Sequence, residues 1–344
     1  MDTTTVNGMK TTIVAATLTA ALLTTLSGCT GGNAGTFQSE TGFIFGTVYN
    51  IKYQHPESLK DDITRELQLF DGSLSMFNDT STISRVNRNE DIKTDTLFMN
   101  VIRRSLEISQ ATDGCFDITV APLVNAWGFG FKHDIEPDTA TIDSLMQMVG
   151  YDKIELTSDG RVLKQDPRTM LDCSAIAKGY AVDIIASLLR RKGVSNYMVD
   201  IGGEVDVAGQ NPSGDLWHIG INKPQDDSLS VNSELQTILA VSNVGIATSG
   251  NYRNFYYKGG RKYAHTIDPH TGYPVQHSIL SATVIADDCM SADAYATSFM
   301  VMGLEKACEF LDSHNGIEAY LIYTGDDGEY QVYMSEGMKR HLSE

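Results

Sequence analysis

The chain has 344 residues, 42% of them hydrophobic and 20% charged, an ordinary globular composition with ample length for a proper core. Its formal charge of −18 argues against nucleic-acid binding, which needs a basic face to neutralise phosphates. The same acidity means that a bound polyphosphate would need local help from a metal ion or from backbone N–H groups.

From Met9 onward, "MKTTIVAATLTAALLTTLSGC" has one Lys, an apolar run and then small residues, the pattern of a secretory signal. Leu26-Ser27-Gly28-Cys29 resembles a bacterial lipobox, which makes residues 1–28 a lipoprotein signal peptide and Cys29 the lipidated first mature residue. The run is too short and too Thr-rich for a spanning helix, so acyl chains, palmitate among them, would hold an exported protein to a bacterial membrane on the periplasmic side. Cys115, Cys173, Cys289 and Cys308 are scattered without a CxxC pair and read as small apolar packers. An exported compartment permits disulfides, but spacing assigns no pairing.

Residues 29–41, rich in Gly, Ser and Thr, read as a flexible tether, and 42–344 as one domain without an obvious interdomain linker. "GFIFGTVYNIKYQ" alternates as a strand. "ESLKDDITRELQLFDGSLSMF" and "DTLFMNVIRRSLEISQATDG" carry apolar residues at helical spacing, and "TATIDSLMQMVG" is a short third helix. "KIELTSDGRVLKQ" is a hairpin turning at Asp159-Gly160. "SAIAKGYAVDIIASLLRRKGV" is a helix followed by the strand "NYMVDIG"; "WHIGINKP", "TILAVSNVGIATSG" and "SILSATVIAD" are further strands. "SADAYATSFMVMGLEKACEFLDSHNG" reads as one long helix, and "EAYLIYTGDDGEYQVYMS" closes as a hairpin. Strands and helices mix without strict βαβ alternation, which favours α+β, with mixed or antiparallel sheets and flanking helices, over a doubly wound sheet.

Several stretches carry chemistry. In "MSADAYATSF", Asp293 and Thr297 lie four apart on one helical face, with Ser291 as a candidate N-cap that sets Asp293 in the first turn. A carboxylate and a hydroxyl stacked there could hold Mg²⁺ through oxygen, although a first-turn Asp commonly just complements the helix dipole. "DCSAIAKGYAVD" offers Asp172, small residues and Lys178 at a loop-to-helix junction, where backbone can approach an anion; the bland alternative is an Ala-rich helix with a solvated Lys. "DIGGEVDVAG" places Gly202 and Gly203 after a strand. "VAPLVNAWGFGF" gathers aromatics around Trp127 beside flexible backbone, suited either to a flat heterocycle or to plugging a small core. No GxGxxG opens a βαβ unit, which disfavours a Rossmann dinucleotide site. "YAHTIDPHTGYPV" is a polar turn bent by Asp268-Pro269 and Gly272.

Together, "SMFNDTSTISRVN", "GCFDITVAPLVNAWGFG", "DCSAIAKGYAVD", "DIGGEV", "WHIGINKP", "GIATSGNY", "HTIDPHTGYPV" and "SADAYAT" resemble, in order, the blocks of the bacterial ApbE-type flavin transferases, over roughly residues 42 to 310. The resemblance implies an ApbE-like fold for 42–344 as a catalytic domain. It implies an enzyme that binds FAD and Mg²⁺, transfers FMN to a Thr or Ser hydroxyl of a target protein through a phosphoester, and releases AMP. The acceptors it implies are flavoprotein subunits of membrane redox complexes and exported electron carriers. It assigns the metal to Asp293, Thr297 and the backbone oxygen of Ala175, FAD contacts to Asp172 and Lys178, a flavin-site segment to Ala126, Trp127 and Gly128, and FAD binding and activity to His265.

Two positions depart from the family pattern: Phe45 stands where Met is common, and Phe77 where Tyr is common, so their flavin contacts differ from the pattern. His265 is a candidate general base for the acceptor hydroxyl or, equally, a hydrogen-bond donor to flavin or phosphate. His270 occupies a variable slot and reads as solvated. Alternatives are an FAD pyrophosphatase, a non-enzymatic FAD-binding lipoprotein, and a zinc protein using His265, His270, His277 and Cys289.

Overall fold

A computed structural model of the protein describes residues 35–130, 137–224, 234–251, 255–258 and 261–343. The signal peptide, Cys29 and the start of the tether lie outside the described residues. In chain order the elements are the hairpin β1 (Phe37–Ile44) and β2 (Thr47–Gln54), then α1 (Lys60–Leu74), α2 (Thr82–Asn87), α3 (Thr96–Ala111), α4 (Ala121–Ala126) and α5 (Thr139–Met146). A small hairpin, β3 (Ile154–Leu156) and β4 (Val162–Lys164), leads to α6 (Ala177–Arg191), β5 (Tyr197–Ile201) and β6 (Glu204–Ala208). The ribbon β7 (Trp217–Asn222) and β8 (Leu235–Val241) precedes β9 (Val244–Gly250), the hairpin β10 (Phe255–Lys258) and β11 (Arg261–Ala264), and β12 (Ile279–Ala286). The chain closes through α7 (Cys289–Met302), α8 (Leu304–Ser313), β13 (Glu318–Thr324), β14 (Tyr330–Met334) and α9 (Glu336–Lys339).

Eight strands form one sheet in the order β1-β2-β5-β6-β9-β12-β13-β14, and every neighbouring pair in it is antiparallel. Alternation sorts its side chains into two cores, because successive residues of a strand point to opposite faces. Ala282, Val284, Ala319 and Leu321 face a large core shared with α1, α3, α6 and α7, whereas Ile285, Tyr320 and Ile322 face a second core with Trp217, Leu239 and Met338 of β7, β8 and α9. The sheet is therefore the middle of three layers. Helix α7 lies against β9 and β12 with ten of its fourteen residues buried, so its apolar residues surround it instead of forming a stripe.

Four local expectations are corrected. "GFIFGTVYNIKYQ" is a hairpin, turning at Phe45 (φ 52°) and Gly46 (φ 73°). Two consecutive positive φ values make the tight turn that matches strand twist, but Phe at the first of them hides it from a sequence reading. The tether ends earlier than residue 41, because Phe37 already pairs with Gln54 and packs edge-on to Trp217 at 6.3 Å. "TILAVSNVGIATSG" is two strands: at Asn243 (φ 58°) the chain leaves the β7–β8 ribbon and enters the main sheet. The long C-terminal helix is broken at Gly303 into α7 and α8; its φ of 77° with ψ of 171° is a backbone conformation essentially open to glycine alone.

Candidate functional site

The site is built where the N-terminal turn of α6 crosses α7. Gly179 lets the two helices touch: a Cβ at this position would stand 2.3 Å from the carbonyl oxygen of Cys289 and 2.9 Å from Cβ of Asp293. The Gly179 N–H donates to Oδ2 of buried Asp293 at 3.0 Å. This supplies α6 with an acceptor that its own N-cap residue, Ile176, does not provide. Gly179→Ala should therefore overpack a backbone contact that cannot yield; we expect a loss of about 1–3 kcal/mol in denaturant unfolding, and unchanged stability would show that the helices can separate freely.

Ser291 does not cap α7. The helix begins at Cys289, with Asp288 as N-cap accepting from the Ser291 N–H at 2.7 Å, so Asp293 lies in the second turn. The Ser291 hydroxyl instead accepts from Nε and Nη2 of Arg104 on α3 at 3.1 and 3.0 Å. Asp183 of α6 accepts from the Cys289 and Met290 N–H groups, both at 2.8 Å. Burial, with Asp288 adding to it, pushes Asp183 up to about 8.

Around Asp293 the charges are close, with both carboxyls buried and the ammonium partly exposed. Lys178 of α6 pairs with Glu204 at the start of β6, and Glu204 is only 3% exposed. Burial pushes Glu204 up to about 7; Lys178 opposes that rise and Asp293 adds to it. Burial likewise raises Asp293, against the Lys178 ammonium and the Gly179 N–H. Burial alone would pull Lys178 down, but Glu204 and Asp293 together outweigh it and hold the ammonium above its usual range. Two carboxylates thus share one cation. Glu204 was not singled out in the sequence; only its pairing in space with Lys178 marks it.

One turn beyond Asp293, the Thr297 hydroxyl is 3.1 Å from that of Ser249 on β9. Asp172 shapes the loop before α6, its N–H bonded to the Ile118 carbonyl at 2.7 Å and its Oδ1 accepting from the Ser174 N–H at 2.8 Å. Ala175 is half-buried in the same loop. The carboxylate, hydroxyl and backbone carbonyl that the resemblance assigns to Mg²⁺ are all hard oxygen donors, as that ion requires. Among the described residues no group of three or more His, Cys, Asp or Glu could hold a metal. Such an ion would therefore draw its remaining ligands from substrate phosphate and water. Among the described residues the buried Oε2 of Glu204 has no hydrogen-bond partner, so this carboxyl keeps an oxygen not used by Lys178. The residues present fit a hard divalent cation.

A second wall carries His265. It follows β11, and its imidazole stands edge-on to Phe129, ring centroids 6.5 Å apart. Its neighbour Thr266 donates to Oδ1 of Asn251 at 2.8 Å, two residues along the chain from Ser249, so the His265 loop is tied to the strand that supports Thr297. Trp127 is 3% exposed and belongs to a small core with Leu123, Ile142, Val149 and Ile267. Its indole N–H donates to the Gly272 carbonyl at 2.7 Å, and its ring stacks on Tyr263 at 5.7 Å. Of the two sequence readings for this aromatic, the indole itself performs the packing one. Ala126 and Gly128 (φ 81°) end α4 on either side of it.

His270 is not simply solvated: its Nε2 lies 2.7 Å from the Asp113 carbonyl and its Nδ1 3.1 Å from Asp268, which clips the turn to the end of α3. Phe45 packs on Phe70 at 5.2 Å, and Phe70 on Tyr180 of α6 at 5.8 Å, so the hairpin tip reaches the helix that carries Lys178. Phe77 is 86% exposed, on the surface between α1 and α2. The zinc alternative fails on geometry. Cys289 Sγ bonds the Ile246 carbonyl at the start of α7, whereas His277 Nε2 bonds the Met300 carbonyl near its end, a separation of about 16 Å at the rise of a helix.

The family model for ApbE matches residues 45–321. The chain belongs to the ApbE family. It is 38% identical over 315 residues to a Vibrio cholerae protein named FAD:protein FMN transferase, covering 88% of this chain and 92% of that one. An Escherichia coli K12 protein of the same name is 33% identical, covering 87% of this chain and 86% of its own length. The solved flavin transferase ApbE of Vibrio cholerae superposes with a TM-score of 0.80 at 34% identity, covering 89% of this chain and 99% of that chain. The apo flavinyl transferase ApbE of Pseudomonas stutzeri gives 0.79 at 29% identity. The expected α+β, ApbE-like fold is borne out, with its main sheet fully antiparallel.

Proposed function

We infer that this ApbE-family chain is a Mg²⁺-dependent FAD:protein FMN transferase that attaches FMN through a phosphoester to a Thr or Ser of an acceptor protein and releases AMP. The observation that carries this reading is the buried Asp293, bonded to the first turn of α6 and one turn from Thr297, in a chain whose relatives bear that name. The acceptors are flavoprotein subunits of membrane redox complexes or exported electron carriers, and Cys29 anchors the enzyme by lipid to the periplasmic side of a bacterial membrane. Among the described residues no helix is long and apolar enough to cross a membrane.

The acceptor hydroxyl oxygen attacks the FMN-side phosphorus of FAD, the pyrophosphate P–O bond to AMP breaks, and the hydroxyl proton leaves. Such a reaction needs in-line positioning and charge neutralisation more than covalent help. Asp293, Thr297 and the Ala175 carbonyl would hold Mg²⁺, which would supply charge neutralisation on the pyrophosphate. Lys178 places a fixed positive charge beside that position, held there by Glu204. Asp172 and the small residues after it bring backbone close to the phosphates, while Ala126, Trp127 and Gly128, with Phe45 and Phe77 at the rim, border the flavin.

His265 accepts the proton of the acceptor hydroxyl. His265→Gln should lower transfer by about 10²–10⁴-fold and flatten the acid limb of the pH profile of kcat/KM. A raised KM for FAD with an unchanged pH profile would make His265 a ligand contact instead. The function itself is tested by incubating the protein with FAD and Mg²⁺ and following AMP. Intact FAD that persists with acceptor present would leave a flavin-storage lipoprotein, and AMP with free FMN alone would leave a pyrophosphatase.

A further inference from the structure

Helices α6 and α7 cap each other. The first turn of α6 has its Gly179 N–H satisfied by Asp293 of α7, and the first turn of α7 has its Cys289 and Met290 N–H groups satisfied by Asp183 of α6. The contacts lie four residues apart on α6 and three to four apart on α7, in opposite order, so the helices run antiparallel and are pinned at both ends of one shared turn. Cys289 is the first residue of α7 and Gly179 the third of α6, so these N–H groups belong to the sets that helix ends leave without intrahelical partners. Neither carboxylate can slide along its partner without leaving donors unbonded inside the protein, which costs about 1–3 kcal/mol per group.

We propose that Asp183 is a positioning residue for the reaction: by holding the N-terminus of α7 against α6, it sets where the Asp293 carboxylate stands relative to Lys178 and the pyrophosphate site. It touches neither substrate nor metal and acts through the register of the two helices. This rests on the transferase reading given above. Asp288 provides the contrast. It also caps α7, through the Ser291 N–H, but it belongs to the residue preceding the helix and makes no reciprocal bond to α6 among those described.

Asp183→Asn keeps the size of the side chain and gives up one of the two acceptor oxygens. A displacement of about 1 Å at a reacting centre can cost on the order of 10²-fold, so the variant should lose at least about tenfold in kcat, with KM for FAD held within about threefold. Hydrogen exchange should quicken at the Gly179 amide, on the other helix, as well as at Cys289 and Met290. Asp288→Asn should lose stability while leaving kcat and Gly179 exchange unchanged. The proposal is overturned if Asp183→Asn speeds exchange at Cys289 and Met290 alone and leaves kcat as in the wild type, the behaviour of a cap and nothing more. If Asp183→Asn does not fold, Asp183→Glu is read against the same two measurements. Should the wild type release no AMP and label no acceptor, the transferase reading fails, whereas the Gly179 exchange of the variants still decides whether the two helices are coupled through Asp183.

Discussion

Asp293→Ala abolishes AMP release from FAD, a loss of at least about 10³-fold, since a metal-held charge at a phosphoryl centre contributes several kcal/mol to the barrier. The structure adds a second consequence. Without the carboxylate, the Gly179 N–H in the first turn of α6 loses its acceptor, and an orphaned buried donor costs about 1–3 kcal/mol. Asp293→Asn separates the two effects. Its amide oxygen can still accept from Gly179, so stability is largely kept, while the charge that a divalent cation requires is gone. Activity should fall as far in the Asn variant as in the Ala variant, with a smaller shift in unfolding. Full AMP release by either variant, measured with saturating FAD and Mg²⁺, would remove Asp293 from the metal site.

Lys178→Met has the largest expected effect on stability. It leaves Glu204 and Asp293 with no shared cation, and removing one partner of a buried pair costs 3–5 kcal/mol; the partly exposed ammonium reduces this to about 2–4 kcal/mol. The penalty depends on pH in a definite direction. Burial raises Glu204 to about 7 in the fold, above the ordinary glutamate value of 4.5, so the folded state binds more protons than the unfolded chain between those values. Stability linked to Glu204 is therefore fully present below 4.5 and lost as pH rises through about 7. Without Lys178 the opposing effect disappears and Glu204 rises further, so the variant gains more from acidification than the wild type. Denaturant unfolding at pH 8 and at pH 5.5 should show the gap between the two proteins narrowing at the lower pH. A gap that is constant or wider there would mean that the three groups are not electrically coupled as described.

What the sequence disclosed followed from periodicity and local spacing. Alternation in "SILSATVIAD" and "EAYLIYTG" marks strands, and beyond the bulge that follows Ile279 their odd and even apolar residues face different cores. The Asp293 and Thr297 spacing on one helix was visible because i and i+4 share a face. Features set by partners distant in sequence were not visible. Glu204, Ser249 and Asp183 matter through residues 26, 48 and 106 positions away, and none has a local pattern of its own. The start of α7 was misplaced because Asp288 and Ser291 are both good cap residues, and it is Asp183, from another helix, that helps fix Cys289 as the first helical residue. The β1–β2 turn was missed for a different reason: Phe45 adopts a positive φ normally left to Gly, Asn or Asp, a conformation the ring's packing on Phe70 helps to hold.

The most direct measurement is the intact mass of an acceptor domain after incubation with this protein, FAD and Mg²⁺, together with the amount of AMP released. The transferase reading predicts an acceptor heavier by one FMN on a Thr or Ser, with one AMP formed for each acceptor labelled, and neither product when Mg²⁺ is chelated. An acceptor of unchanged mass, with FAD either intact or hydrolysed to free FMN and AMP, would contradict it.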